Sequence, residues 1–211
     1  MRLRNGDPAD YAARLSSWYD AGSETWDGRQ YWKVAEREAY LDRLRAIGAQ
    51  TLLVIGAGSG EDGAFFRDEG GLRVVAVDLV PAMVERCRAK GLDAYLGDFL
   101  NLGFPPARFD AAYAMNSLSH VPNADLGAAV RATRDALKPG GLGYLGMYGG
   151  PGAEGVAADD AQEPWRFFAL RTDEQILRAA AQVFEIVDFH TVDDGKLHFQ
   201  ALTLARPAEP A

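Results

Sequence analysis

The chain reads as an α/β protein with a doubly wound, mostly parallel sheet, and three observations predict this. Short apolar runs alternate with amphipathic stretches of helical length between residues 51 and 181. The first run, residues 52–55, breaks into Gly56, Gly58 and Gly60 and then resumes as a helical pattern, which reads as strand, tight turn, helix. Two final strand-like runs are joined across Asp194-Gly195, a strong hairpin signal, so the last strand should run antiparallel.

The elements follow in order. Residues 8–20 form a helical pattern with Asp7 as N-cap and Pro8 in the favoured first turn, and a turn spans 21–28. A second helix, 29–47, puts Val34, Leu41, Leu44 and Gly48 near one face and stops at that glycine. These two helices precede the first strand and can cap the mouth of a cofactor site; Tyr19, Trp26, Tyr31 and Trp32 lie in this region, where packing the cap onto the body accounts for them individually. Beyond the glycine turn come a strand at 72–77, a helix at 81–90, strands at 93–96 and 109–115, a helix at 124–137 and a strand at 142–148. Lys138-Pro139-Gly140-Gly141 ends the helix and turns the chain into that last strand. A long connection, 149–171, precedes a helix at 172–181 and the closing strands at 184–192 and 197–205; residues 206–211 form a tail.

At 211 residues one α/β domain is the expected organisation. A net charge of −8 argues against a protein that tracks nucleic-acid phosphates. Cys87 is the only cysteine, which forbids an internal disulfide and fits a reducing compartment; its helical setting points to ordinary packing. With no signal-like apolar segment and no run of about 18 apolar residues, a cytoplasmic protein off the membrane is expected. Three dispersed histidines show no ligand spacing, so no metal site is expected.

The glycine turn and Asp78 carry the chemistry. Glycines after a buried strand let backbone approach a ligand, and the turn opens a helix whose first N–H groups are free. Asp78 ends the next strand, 18 residues past Gly60, where a carboxylate can accept hydrogen bonds from both hydroxyls of a ribose. The spacing of Gly56, Gly58, Gly60 and Gly63 leaves Glu61 where a dinucleotide fingerprint has its third glycine. A nicotinamide-dependent oxidoreductase is therefore disfavoured but stays open, as does a cofactor-binding module without catalysis.

Five ordered stretches resemble the class I S-adenosylmethionine-dependent methyltransferases of small-molecule type: VIGAGSG at 54–60, VAVDLVPAMV at 75–84, GDF at 97–99, FDAAYAMNSLSHVPN at 109–123 and ALKPGGLGYLG at 136–146. The resemblance runs from about residue 41 to 205 and implies a Rossmann-like sheet with an inserted antiparallel C-terminal strand. It implies one methyltransferase domain: a cap at 1–48, a core at 49–205 with 149–171 as substrate loop, and the tail. It also implies roles. Gly56, Ala57, Gly58, Ser59 and Gly60 approach the methionine and ribose of S-adenosylmethionine, and Asp78 holds the ribose. Leu79 and Met83 flank the adenine, where Gly97, Asp98 and Phe99 read its edge. Asn116 and Ser117 lie near the sulfonium, and Tyr19 reaches in from the cap.

Methyl transfer from a sulfonium is an in-line displacement, and alignment alone can lower such a barrier by about 7–11 kcal/mol. A protein base is needed only where the acceptor must lose a proton; His120, four residues past Asn116, is the candidate. His190 and His198 on the closing hairpin are expected to be structural. Trp26, Tyr148, Trp165, Arg166 and Phe167 are the candidate acceptor-binding residues, the acceptor is a small molecule, and the protein is expected to be a monomer or homodimer.

Overall fold

A computed structural model describes residues 1–6, 10–22, 34–160, 163–193 and 198–208. Trp26, Tyr31, Trp32, the Asp7–Pro8 cap and the Asp194-Gly195 turn lie outside the described residues. A seven-stranded sheet runs β4-β3-β2-β5-β6-β10-β9, with β2 at Thr51–Ile55, β3 at Arg73–Asp78, β4 at Asp93–Leu96, β5 at Phe109–Met115, β6 at Leu137–Tyr148, β9 at Glu185–Asp193 and β10 at His198–Ala205. The pairs β2–β3, β2–β5, β3–β4 and β5–β6 are parallel. β10 inserts antiparallel between β6 and β9, so the antiparallel strand is last in the chain but one in from the sheet edge.

Each central strand is buried on both faces, which is why it reads as an unbroken apolar run. On one face Leu53, Ile55, Val75, Val77, Ala112, Ala114, Leu145 and Leu202 pack under α5 (Leu126–Ala136) and α6 (Asp173–Ala181). On the other, Leu52, Val54, Val74, Ala76, Tyr113 and Tyr144 pack under α2 (Val34–Ala46), α3 (Glu61–Asp68) and α4 (Pro81–Ala89). Tyr40 of α2, which the sequence pattern did not single out, is the anchor there. It is buried among Phe66, Tyr113 and Tyr144, and its hydroxyl lies 2.9 Å from the Ala112 carbonyl and 3.0 Å from that of Leu142. Cys87 is buried in the same layer with its Sγ 3.3 Å from the Gly58 carbonyl.

Two expectations are corrected. Residues 138–141 do not form a separate turn: β6 already starts at Leu137, paired with Phe109, and the irregularity is absorbed by a register shift and by Gly140 at φ 77°. The connection 149–171, expected as a long loop, contains strands. It holds β7 (Ala153–Ala157) and β8 (Phe167–Leu170), which pair antiparallel and form a second sheet with β1 (Leu3–Arg4). α1 (Tyr11–Gly22) packs over β8 and α4 and runs two residues into the stretch expected to turn.

Candidate active site

The strand order reverses between β2 and β5, so the chain leaves their carboxyl ends in opposite directions and a crevice opens there. The two exits are tied together. Ser117, just past β5, donates from its hydroxyl to the Ile55 carbonyl at 2.9 Å, and Gly56 lies against it. At Gly56 φ is 69°, and a Cβ there would stand 2.2 Å from the Ser117 Cβ, so only glycine satisfies both the backbone and the contact.

Asp78 ends β3 beside this turn, almost fully buried. Its Oδ2 accepts the Gly58 N–H at 2.7 Å and its Oδ1 accepts that of Val80 at 2.9 Å, which fixes the carboxylate while leaving each oxygen a further lone pair. Burial raises its pKa to about 6 against the lowering effect of these amides. Asp98 is held differently: its Oδ1 accepts the N–H groups of Leu100 and Asn101 at 2.8 and 2.9 Å in a local turn. Asn116 stands at φ 57°, in left-handed backbone that a residue with a Cβ rarely adopts, and its side-chain Oδ1 is buried with no hydrogen-bond partner among the described residues.

These groups share a cavity of about 780 Å³. Of the residues the sequence assigned to a cofactor, Tyr19, Gly56, Ala57, Gly58, Ser59, Asp78, Leu79, Met83, Gly97, Asp98, Phe99, Asn116 and Ser117 lie on its wall; His120 is there too. Gly60 is not. It is the N-cap of α3 at φ 87°, and a Cβ would meet the Cys87 Sγ and Leu92 Cδ1 at 3.0 Å, so it serves the packing of α3 on α4.

None of the described residues of 149–171 lies on the wall. Tyr148 packs edge-on to Phe199 at 5.8 Å, and Trp165 lies under the Arg4 guanidinium at 5.5 Å. Phe167 is buried against Tyr11 and Leu15. Arg166 is clamped by Asp160, with Nε–Oδ2 at 2.9 Å and Nη2–Oδ1 at 2.8 Å, and lies 3.7 Å above the Trp18 ring.

His120 sits in a short 3-10 turn, Leu118–His120, fully enclosed. Its Nδ1 is 2.8 Å from the Phe167 carbonyl. A carbonyl only accepts, so Nδ1 carries the proton and the neutral ring presents its lone pair on Nε2. Burial lowers the pKa to about 4, the Phe167 carbonyl working against it, and the ring is neutral at physiological pH.

Sequence reasoning missed part of the wall. Tyr11, Leu15 and Trp18 of α1 line it, and their i, i+4, i+7 spacing was the available signal. Arg171, also missed, is buried and donates from Nη1 to the Leu118 carbonyl at 3.0 Å and from Nη2 to that of Val121, bracing the loop that carries His120. No periodic signal marks a buried cation of this kind. His190 and His198 lie away from the cavity, against Glu36 and Asp188 and against Asp173.

A crevice at a strand-order reversal, a glycine turn and a strand-end carboxylate define a protein that binds a ribose-bearing cofactor. Comparison with known proteins shows which such proteins the chain is similar to. A family model described as a methyltransferase domain matches residues 52–141. The 27-O-demethylrifamycin SV methyltransferase of Amycolatopsis mediterranei is 29% identical over 124 residues, covering 55% of this chain and 44% of that protein. A ubiquinone biosynthesis O-methyltransferase of Xanthomonas oryzae pv. oryzae is 33% identical over 149 residues, 64% of this chain and 57% of that one. The chain thus spans about half the length of such curated relatives. A crystal structure of the Burkholderia thailandensis 1,6-didemethyltoxoflavin-N1-methyltransferase, with its substrate and S-adenosylhomocysteine bound, superposes with a TM-score of 0.71 at 28% identity, covering 98% of this chain and 93% of the other. A class I S-adenosylmethionine-dependent methyltransferase, with S-adenosylmethionine as its cofactor, is the reading that the match over residues 52–141, the named relatives and the solved structure support.

The residues present fit that group. The cavity is within the usual range of roughly 300–1,000 Å³ for ligand sites, each Asp78 oxygen keeps a lone pair beyond its backbone N–H bond, and the Asn116 Oδ1 is buried with no partner among the described residues. The first turn of α3 carries Glu61 and Asp62 on the cavity wall, each ion-paired, Glu61 to Lys90 at 3.2 Å and Asp62 at 2.9 Å to Arg37, which also lies on the wall.

Proposed function

We propose that this protein transfers the methyl group of S-adenosylmethionine to a hydroxyl or N–H of a small molecule. When bound, the cofactor supplies an electrophilic methyl on a good leaving group. The chain's own residues then bind, align and deprotonate. Asp78 would hold the ribose and Asp98 the adenine edge, while Leu79, Met83 and Phe99 enclose the base and the residues of the 56–59 turn face the methionine side. Asn116 would lie near the sulfonium and Tyr19 would reach in from α1.

The observation that carries this reading is the tautomer of His120. With Nδ1–H committed to the Phe167 carbonyl, Nε2 is the unprotonated acceptor of a ring that lines the cavity. It would take the proton an acceptor hydroxyl must lose as the methyl arrives. Relatives named as O- and N-methyltransferases support this chemistry, whereas fold alone does not decide it: a [4+2]-cyclase superposes with a TM-score of 0.73 at 17% identity.

The small-molecule acceptor, a cytoplasmic setting and action as a monomer or homodimer belong to the same proposal. Among the described residues no helix is long and apolar enough to cross a membrane. Titration calorimetry of the intact protein with S-adenosylhomocysteine and, separately, NADH tests the reading. Heat with the first and none with the second is expected; the reverse would make the protein an oxidoreductase.

A further inference from the structure

Three consecutive residues of one stretch of chain each set part of the cavity wall without lining it. Arg166 donates from Nη1 to the Tyr19 hydroxyl at 3.2 Å while its other nitrogens are fixed by Asp160. Its backbone N–H also bonds Asp160 Oδ2 at 3.0 Å, so the carboxylate locks both the side chain and the backbone just ahead of β8. The Arg166 guanidinium is 3.7 Å from the Trp18 ring centroid and 5.6 Å from that of Tyr19. Phe167, next in sequence, orients His120 through its carbonyl. Phe168 then packs its ring on His120 at 4.5 Å, and Tyr19 meets the same imidazole edge-on at 6.5 Å.

We infer that Arg166 is a positioning residue: paired with Asp160, it fixes Tyr19 of α1 against His120 and so couples closure of the N-terminal wall to the orientation of the acceptor nitrogen. Two properties make arginine suited to this. The planar guanidinium engages the carboxylate by two parallel bonds, which fixes its plane, and the same plane stacks on an aromatic face while a remaining N–H reaches the phenol. A charged hydrogen bond and a cation–π contact converge on adjacent residues of α1, Tyr19 and Trp18, so loss of Arg166 releases both at once. Lysine cannot reproduce the fork or the stacking. The stretch from Arg166 to Phe168, at the start of β8, therefore acts on the site from behind rather than as a contact to the acceptor.

The chain has three histidines, and His190 and His198 lie elsewhere, so the His120 ring protons are a separable NMR probe of this coupling that needs no ligand. The comparison uses Arg166→Met, Arg166→Lys, Tyr19→Phe and the Arg166→Met/Tyr19→Phe double variant. The His120 resonances should move in each, the double variant should move them no further than Arg166→Met alone, and His190 and His198 should stay in place. A second arm, which rests on the methyltransferase reading, measures S-adenosylhomocysteine affinity. Each single variant should weaken it by about 5- to 50-fold, with the double variant no weaker than Arg166→Met. Unmoved His120 resonances in Arg166→Met or Arg166→Lys would overturn the inference, as would additive losses in the double variant. Failure of the wild-type protein to bind S-adenosylhomocysteine while the NMR pattern holds would sink the functional reading and leave this one standing.

Discussion

Replacing Asp78 by Asn should change how stability depends on pH, because the site holds a buried carboxylate at a cost. Its pKa rises from the usual 3.8 to about 6 on folding. A raised carboxyl holds its proton more tightly in the native state, so between those two values the folded protein binds more protons than the unfolded chain and stability falls as pH rises. At 1.36 kcal/mol per pKa unit the full cost is about 3 kcal/mol, reached above pH 6, with about 2 kcal/mol of it accruing between pH 4.5 and 7.5. Asn keeps one acceptor oxygen and loses the ionisation. It also gives up one of the two backbone N–H bonds from Gly58 and Val80, a penalty of roughly 1–3 kcal/mol that does not vary with pH. Urea unfolding of both proteins at pH 4.5 and 7.5 should therefore show Asp78→Asn gaining about 2 kcal/mol on the wild type over that interval, whatever their order at either end. Parallel pH dependences would mean that the carboxylate is not desolvated as described. The same substitution should weaken S-adenosylhomocysteine by about 10- to 100-fold, the worth of a charged hydrogen bond to the ribose.

Gly56→Ala should lose S-adenosylhomocysteine binding and about 2–4 kcal/mol of stability in urea melts, since the new methyl collides with Ser117 on backbone at positive φ. His120→Ala should lower turnover by about 10²- to 10⁴-fold while calorimetry finds cofactor affinity within about threefold; equal losses in both would mark the residue as structural. Because the His120 pKa is about 4, no limb of the pH–rate profile between 6 and 8 should belong to this group, and a limb there that vanishes in His120→Gln would contradict the assignment. Thr172→Ala removes the capping box in which Thr172 accepts from the Gln175 N–H at 3.2 Å and Gln175 from that of Thr172 at 2.9 Å. It should cost about 1 kcal/mol, a Tm drop of roughly 2–4 °C, with S-adenosylhomocysteine affinity unchanged.

What was legible in the sequence was local. β2, β3 and β5 show as continuous apolar runs because both of their faces are covered, and Asp78 was readable because it closes such a run beside a glycine turn. What was not legible depends on partners far along the chain. β7, with sequence AEGVA, has little strand character of its own and is held by β8 and by Leu3–Arg4, some 150 residues away. Trp165, Arg166 and Phe167 read as a ligand-binding aromatic cluster because sequence shows their composition but not their direction. In the structure Asp160 and α1 take up Arg166, and the fold turns Phe167 into the core. Tyr11, Leu15 and Trp18 present the converse case: a helical stripe that packing alone would explain also lines the cavity.

The central claim is methyl transfer to a small molecule, and one experiment meets it directly. The intact protein is incubated with methyl-labelled S-adenosylmethionine and a fractionated metabolite extract, and product masses are read. A labelled low-molecular-mass product is expected from the wild type, formed about 10²- to 10⁴-fold more slowly with His120→Ala. Label recovered only in protein or nucleic acid, or cofactor left unconsumed across the fractions, would contradict it.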